Sequence, residues 1–180
     1  MTADTTVHYP EGVQSQGNVK VRAALTLSSL TAPSVAQAND STGIDLSLFL
    51  YPGGWGPTVT TNKGTKPPRL ASKVQLESFN RSQYGMPDLL YAYDPQGSAA
   101  SADNKAMAVL TQGLEVFLIE RLGDDAETVP LAIGDWVRVH HVRLGEQFFV
   151  SDPTDENDEF KVQQPVIYIN PPGPRVQLVA

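Results

Sequence analysis

Alternation of apolar and polar residues along most of the chain predicts strands. In residues 44–51, for example, Ile44, Leu46 and Leu48 share one face. Comparable segments, separated by turn residues at intervals of about ten residues, are 18–27, 44–51, 69–79, 89–93, 114–122, 136–150 and 160–169. The sixth is either one long strand or a hairpin bent at Gly145, so seven or eight strands are expected. This pattern predicts a mainly β protein, an antiparallel β-sandwich or a barrel-like pair of sheets.

One segment has helical periodicity instead. Ala102, Ala106 and Leu110 fall on one stripe, Ser101 is a suitable N-cap, and Gly113 is suited to the left-handed residue that ends a helix. The sequence therefore predicts one short α-helix at about residues 101–112, laid against the sheets.

Glycine and proline set the expected boundaries. Residues 51–68 contain four glycines and four prolines, and they predict a long loop rather than a strand. Pro165 lies inside the last predicted strand, which should therefore be an edge strand or a bulged one. Residues 1–17 predict an N-terminal arm, residues 18–170 one β-sandwich domain, and residues 171–180 an extended C-terminal tail.

Composition narrows the class of protein. The 180 residues include no cysteine, which excludes disulfides, thiol catalysis and thiolate metal sites. The apolar fraction of 41% is ordinary for a globular domain. No apolar run approaches the ~18 residues that a membrane helix needs, and the first residues do not have the pattern of a signal peptide.

The net charge of −7 is unevenly distributed. Residues 1–87 carry seven basic and five acidic side chains, a net of +2, and residues 88–180 carry six basic and fifteen acidic ones, a net of −9. Tight binding of nucleic acid needs a cationic surface, because counterion release supplies most of the affinity. The sequence therefore argues against tight DNA binding, though not against a surface along which DNA passes.

Candidate chemistry is sparse. His140 and His141 are adjacent and would point to opposite faces of a strand, so they cannot chelate one ion together. The acidic residues of segment 152–159 have the oxygen ligands that Ca²⁺ prefers, but the segment lacks the glycine and the distal glutamate of an EF-hand loop. It is interpreted either as a solvated acidic turn or as a charged contact. No catalytic motif is found, so we expect no enzyme activity and no cofactor or metal.

Trp55, near the start of the predicted loop, has two interpretations. An exposed tryptophan often anchors an interface, and the alternative is that it folds back onto its own domain. The candidate contact residues between subunits are Tyr51, Trp55, Lys63, Lys66, Asp155, Glu156 and Asp158.

The central part of the chain resembles a known family. The residues that carry the resemblance are Tyr91-Ala92-Tyr93-Asp94-Pro95-Gln96, then Asn104-Lys105-Ala106, then Gly113 with a hydrophobic strand ending in Glu120-Arg121. A Gly-Asp turn at 134–135, an acidic loop and the strand at 160–169 follow in the same order. Residues 69–170 are similar to the major tail (tail tube) proteins of long-tailed bacteriophages, especially those of actinobacterial hosts.

The resemblance implies a structural virion protein with a β-sandwich fold and a flanking helix. It implies that subunits form rings of six, which stack into a hollow tail tube through which DNA passes. Its partners would be further copies of itself and the tape measure, tail terminator and distal tail proteins. It also implies assembly in the bacterial host cytoplasm and a place in the virion tail.

Two alternatives from other classes stay open at this point. One is a carbohydrate-binding β-sandwich that uses Tyr51 and Trp55 as a stacking platform. The other is a capsid-decorating or adhesion domain. Self-assembly into a hollow rod would distinguish the tail tube hypothesis from both.

Overall fold

The computed structural model describes residues 11–67, 69–71 and 74–180. These residues form eleven strands, two short α-helices and one 3₁₀ turn at Pro52–Gly54. The helices are α1 (Val35–Ala38) and α2 (Lys105–Val109). The strands are β1 (Val19–Ala24), β2 (Ile44–Asp45), β3 (Thr58–Thr65), β4 (Glu77–Gly85), β5 (Leu89–Ala92), β6 (Glu115–Leu122), β7 (Trp136–Leu144), β8 (Phe148–Val150), β9 (Lys161–Gln164), β10 (Val166–Tyr168) and β11 (Val176–Gln177).

The strands pair antiparallel in three sheets. The largest has the order β10-β7-β6-β1-β2, with β11 also paired to β7. The second has the order β5-β9-β8, and the third is the hairpin of β3 and β4. The expected mainly β, antiparallel architecture is therefore confirmed.

The large sheet buries both of its faces. Val21, Leu118 and Val142 pack on one face in a core that includes Tyr91 and Val162 of the second sheet. Across the sheet, a second core is formed by Ile119, Val137 and Val139 with Ala38 of α1, Leu131 and Leu178. Burial on both faces explains the unbroken apolar run at residues 116–119 in β6.

Gly145 and Pro165 form a corner where two chain segments pass from one sheet to the other. β7 lies in the large sheet and β8 in the second, so residues 136–150 are neither a single strand nor a hairpin. The predicted strand 160–169 is likewise two strands, divided at Pro165. Gly145 donates its backbone N–H to the carbonyl of Pro165 at 2.7 Å. A Cβ at Gly145 would lie 3.1 Å from Pro165 Cβ, so this close approach suits glycine.

The predicted helix 101–112 is much shorter in the structure. α2 begins at Lys105 and ends at Val109, and Ser101 lies in the preceding turn instead of capping the helix. The reason is Asn104, whose buried side chain bonds the backbone N–H and C=O of Asp94, both at 2.9 Å. Those bonds hold the turns after β5 in place, and the helix starts only after them. Helix α1 was not predicted.

Two predicted strands also differ. Residues 44–51 contain only the two-residue β2, because Asp45 Oδ1 accepts the backbone N–H of Ser47 and closes a turn. The strand expected at 69–79 begins only at Glu77, and Leu70 lies in a turn. The part of that prediction on residues 72–73 lies outside the described residues.

The chain ends also depart from the expected arms. Residues 1–10 of the predicted N-terminal arm lie outside the described residues, and Gly17 accepts a hydrogen bond from Ala126 N at 2.8 Å. At the other end, β11 pairs with β7, and Leu178 is buried in the second core. Much of the predicted C-terminal tail is therefore part of the folded domain.

Candidate assembly surface

The segment predicted as a loop contains a strand that forms a projecting hairpin. β3 pairs with β4 from Thr58 opposite Gly85 to Thr65 opposite Glu77, with an irregularity between Thr61 and Lys63. The prediction of an irregular loop at 51–68 was wrong because its glycines and prolines lie mainly outside β3. The β3 sequence TVTTNKGT has one glycine and no proline, and its β-branched residues favour a strand.

The hairpin exposes large apolar side chains. Val59 is 61% exposed, Leu76 63% and Phe79 76%. Apart from Gly64, Ser78 and Gly85, every strand residue of the hairpin is exposed. A two-stranded hairpin is marginally stable in water by itself, and contiguous exposed apolar surface marks an interaction site. The hairpin therefore has the properties of a segment that another protein surface covers.

Lys63 and Lys66 lie on this hairpin and are exposed. Lys63 is opposite Phe79 in the pairing of β3 with β4. Lys66 follows β3, and its backbone N–H donates to the carbonyl of Leu76 at 2.9 Å, which extends the hairpin past its last paired strand residue. Both lysines are therefore exposed on the same hairpin as the apolar side chains.

Trp55 lies at the root of the hairpin, which is the end nearest the body of the domain. Its indole Nε1 donates to Glu120 Oε1 at 2.9 Å, and its ring meets the His140 ring edge-on at 5.7 Å between centroids. Trp55 is half-buried against the first core. In the single chain, Trp55 therefore folds back onto its own domain, as the second of the two interpretations expected.

Tyr51 connects the same region to the acidic segment. Its hydroxyl bonds the carboxylate of Glu159, and Lys161 Nζ lies 5.2 Å from the centre of its ring. Burial, followed by the hydrogen bond to Glu159 and then its negative charge, raises the pKa of Tyr51 to about 12. Tyr51 and Trp55 line a common groove of about 440 Å³. Both rings are engaged by their own domain, so they offer a poorer stacking platform for a sugar than the sequence suggested.

The acidic segment 152–159 directs much of its charge back onto itself. Asp152 Oδ1 accepts the backbone N–H of Thr154 at 3.0 Å, and Asp155 Oδ1 that of Asn157 at 3.0 Å. Asp158 pairs with Lys161, and the hydrogen bond from that ammonium lowers the pKa of Asp158. Asp155 and Glu156 are exposed. Within the part of the chain that the structure describes, no group of three acidic or histidine side chains is arranged to hold a metal ion.

Sequence reasoning missed the residues that receive Trp55. Glu120 is 7% exposed and His140 is fully buried, on the neighbouring strands β6 and β7. The adjacent histidines do face opposite sides, as predicted, since the His141 ring stacks on Phe117 at 4.5 Å while His140 meets Trp55. A charged residue within the apolar run of β6 was the available signal for Glu120.

A comparison with family models identifies the class of protein. The chain matches a model described as "Phage tail tube protein" over residues 6–180. It therefore belongs to the phage tail tube protein family, which confirms the resemblance and extends it across the hairpin. No curated protein matches the chain. It is accordingly a structural protein of the virion tail that associates with itself in a tube. None of the helices among the described residues is long and apolar enough to cross a membrane.

Proposed function

We propose that this protein forms rings of six subunits, which stack into the hollow tube through which the phage genome leaves. The observation that carries the proposal is the β3–β4 hairpin. Its apolar side chains are left in water by the single chain, and a second copy would remove them from it. Membership of the tail tube family supports a copy of the same chain as the covering surface.

The hairpin and the acidic segment expose charges of opposite sign, which supports contact between these two surfaces in neighbouring copies. Lys63 and Lys66 project from the hairpin, while Asp155 and Glu156 are exposed on the segment between β8 and β9. Opposite charges steer association and disfavour wrong registers more than they add affinity. We therefore assign these four residues, with Asp158 beside them, to contacts between subunits. Tyr51 and Trp55 support those contacts from within the domain.

The net charge of −7 suits a tube that conducts DNA. Each ring repeats that charge, and a negative wall does not hold the phosphate backbone as a cationic one does. The tape measure, tail terminator and distal tail proteins are the proposed partners along and at the ends of the tube, and assembly takes place in the host cytoplasm.

Negative-stain electron microscopy of the purified protein at rising concentration tests the proposal. We expect rings with a central hole, or striated hollow rods, and six-fold symmetry in end-on class averages. A protein that stays monomeric at every concentration, and that tail components from infected cells do not polymerise, would overturn it. A glycan array on that monomer would then test the carbohydrate-binding alternative.

A further inference from the structure

Both ends of the hairpin reach the same buried side chain. Before β3, Trp55 contacts His140 with its ring edge and bonds Glu120 through its indole N–H. At the end of β4, the Tyr84 ring meets the Tyr168 ring edge-on at 6.4 Å between centroids. The Tyr168 hydroxyl in turn lies 2.9 Å from His140 Nδ1. Trp55, Glu120, His140 and Tyr168 therefore form one group, the root cluster, between the two ends.

The root cluster is polar although it is buried. His140 is fully buried and Glu120 is 7% exposed. His140 Nε2 lies 3.6 Å from Glu120 Oε2, and among the described residues this nitrogen has no hydrogen-bond partner. Buried polar groups are unfavourable unless they are paired. Apolar side chains would join these elements at lower cost, so the polar set has a property that apolar packing lacks.

Hydrogen-bonded contacts are directional, whereas apolar contacts are not. A hydrogen bond weakens steeply away from its preferred distance and angle, whereas apolar contact tolerates sliding. The cluster joins segments from β6, β7 and β10 to the chain just before the hairpin, so it constrains the hairpin from several sides. Beyond its root the hairpin is almost wholly exposed. Its orientation is therefore determined at the root.

We propose that Glu120, His140 and Tyr168 are positioning residues, which hold Trp55 and Tyr84 so that the hairpin leaves the domain in one direction. None of the three is a surface contact for a neighbouring copy in this view. Their effect on assembly, which rests on the proposed function, comes through the hairpin that they orient.

Distances between spin labels measure that direction in the full-length chain. The protein has no cysteine, so Asn62→Cys on the hairpin and Glu127→Cys on the body give one defined label pair at exposed positions. Trp55→Phe removes the donor to Glu120 and keeps an aromatic ring, and Tyr168→Phe removes only the hydroxyl at His140. We expect a narrow distance distribution for the labelled parent and a broadened or shifted one for each variant.

Tyr91→Phe is the matched control. Tyr91 is also buried, and its hydroxyl bonds Gln164 Oε1 at 3.1 Å and Gln147 Nε2 at 2.9 Å, neither of which belongs to the root cluster. Removing this hydroxyl lowers stability in a similar way and should leave the label distance unchanged. A parent-like distribution in both Trp55→Phe and Tyr168→Phe, or equal broadening in Tyr91→Phe, would overturn the proposal.

Assembly is measured on the same variants without labels. We expect Trp55→Phe and Tyr168→Phe to raise the protein concentration at which rods appear by about two- to tenfold, which corresponds to one net hydrogen bond. Tyr91→Phe should assemble as the parent does. If the parent forms no rods, either alone or with tail components from infected cells, the proposed function fails, whatever the label distances show. If the parent forms rods and the variants keep its narrow distances, only the positioning role fails.

Discussion

The indole of Trp55 donates to Glu120 Oε1 at 2.9 Å and thereby ties the start of the hairpin to the central sheet. Burial is the largest influence on the Glu120 carboxyl and by itself would raise its pKa. The neighbouring His140 ring and the hydrogen bond from Trp55 outweigh it, so the pKa of Glu120 lies below its ordinary value. Glu120 is therefore a buried carboxylate that stays charged because the hairpin root supplies its partners.

Replacing Trp55 with phenylalanine should lower the free energy of unfolding by about 1–3 kcal/mol, because a buried carboxylate oxygen loses its donor. Urea denaturation followed by circular dichroism measures this. Trp136→Phe is the control, since Trp136 is 51% exposed and its replacement should change stability by less than about 0.5 kcal/mol. Equal losses in the two variants would show that the bond to Glu120 is not what stabilises the root.

Gly54 allows the chain to pass directly over β5 just before Trp55. A Cβ at Gly54 would lie 2.3 Å from Leu90 N and 2.8 Å from Leu90 Cα, so Gly54→Ala should destabilise the fold by about 1–3 kcal/mol through backbone displacement. Gly53→Ala is its control, because a Cβ there meets nothing within 4 Å. Thermal unfolding of both variants tests this, and similar midpoints would contradict the close approach.

Local patterns predicted the strands of the body and missed the hairpin for a physical reason. β1, β5, β6 and β7 lie in predicted segments, since burial of one or both faces imposes regular apolar positions. Beyond its root the hairpin is almost wholly exposed in the single chain, so its sequence carries no such pattern. The glycines and prolines at its ends therefore dominated the prediction.

The root cluster could not be predicted from local sequence. Glu120 and His140 are neighbours only because β6 pairs with β7, and Trp55 reaches Glu120 across 65 positions of sequence. No periodicity encodes which buried polar groups become partners in three dimensions. The candidate contacts Lys63, Lys66, Asp155 and Glu156 were selected by charge and exposure, which sequence does indicate, and all four are exposed in the structure.

Asp45 and Lys20 form an ion pair at 2.7 Å that should make stability depend on pH. Burial by itself would raise the pKa of Asp45, but hydrogen bonds from Lys20 and Ser47 outweigh it and lower the pKa. The folded state therefore holds this proton less readily than the unfolded state. The contribution to stability is present above the unfolded pKa of about 3.9 and is lost as the pH falls through the folded-state value.

Asp45→Asn should accordingly flatten the fall in stability below about pH 4, measured by urea denaturation at a series of pH values. In Lys20→Met the carboxyl keeps its burial but loses its cation, so the loss of stability should begin at a higher pH than in the parent. A Lys20→Met profile that coincides with the parent's would contradict the role of the ion pair.

Charge exchange between the hairpin and the acidic segment tests whether these two surfaces meet in the assembled tube. Lys63→Glu with Lys66→Glu should prevent rod formation at concentrations where the parent assembles, because like charges would then face each other. Asp155→Lys with Glu156→Lys should do the same from the other side. A mixture of the two double variants should form mixed rods, because the acidic hairpin of the first variant then faces the basic segment of the second. Electron microscopy and light scattering measure both effects.

The control for net charge is Lys105→Glu with Arg175→Glu, which changes the charge equally at exposed positions outside the hairpin. This control should assemble like the parent at physiological salt, where exposed charges more than about 8 Å apart are largely screened. If it fails as badly as the hairpin variant, overall repulsion explains the defect. If the hairpin variant assembles normally while its exposed lysines are reversed, then the hairpin docks through its apolar side chains alone, and Phe79→Ser becomes the change that should abolish the rods.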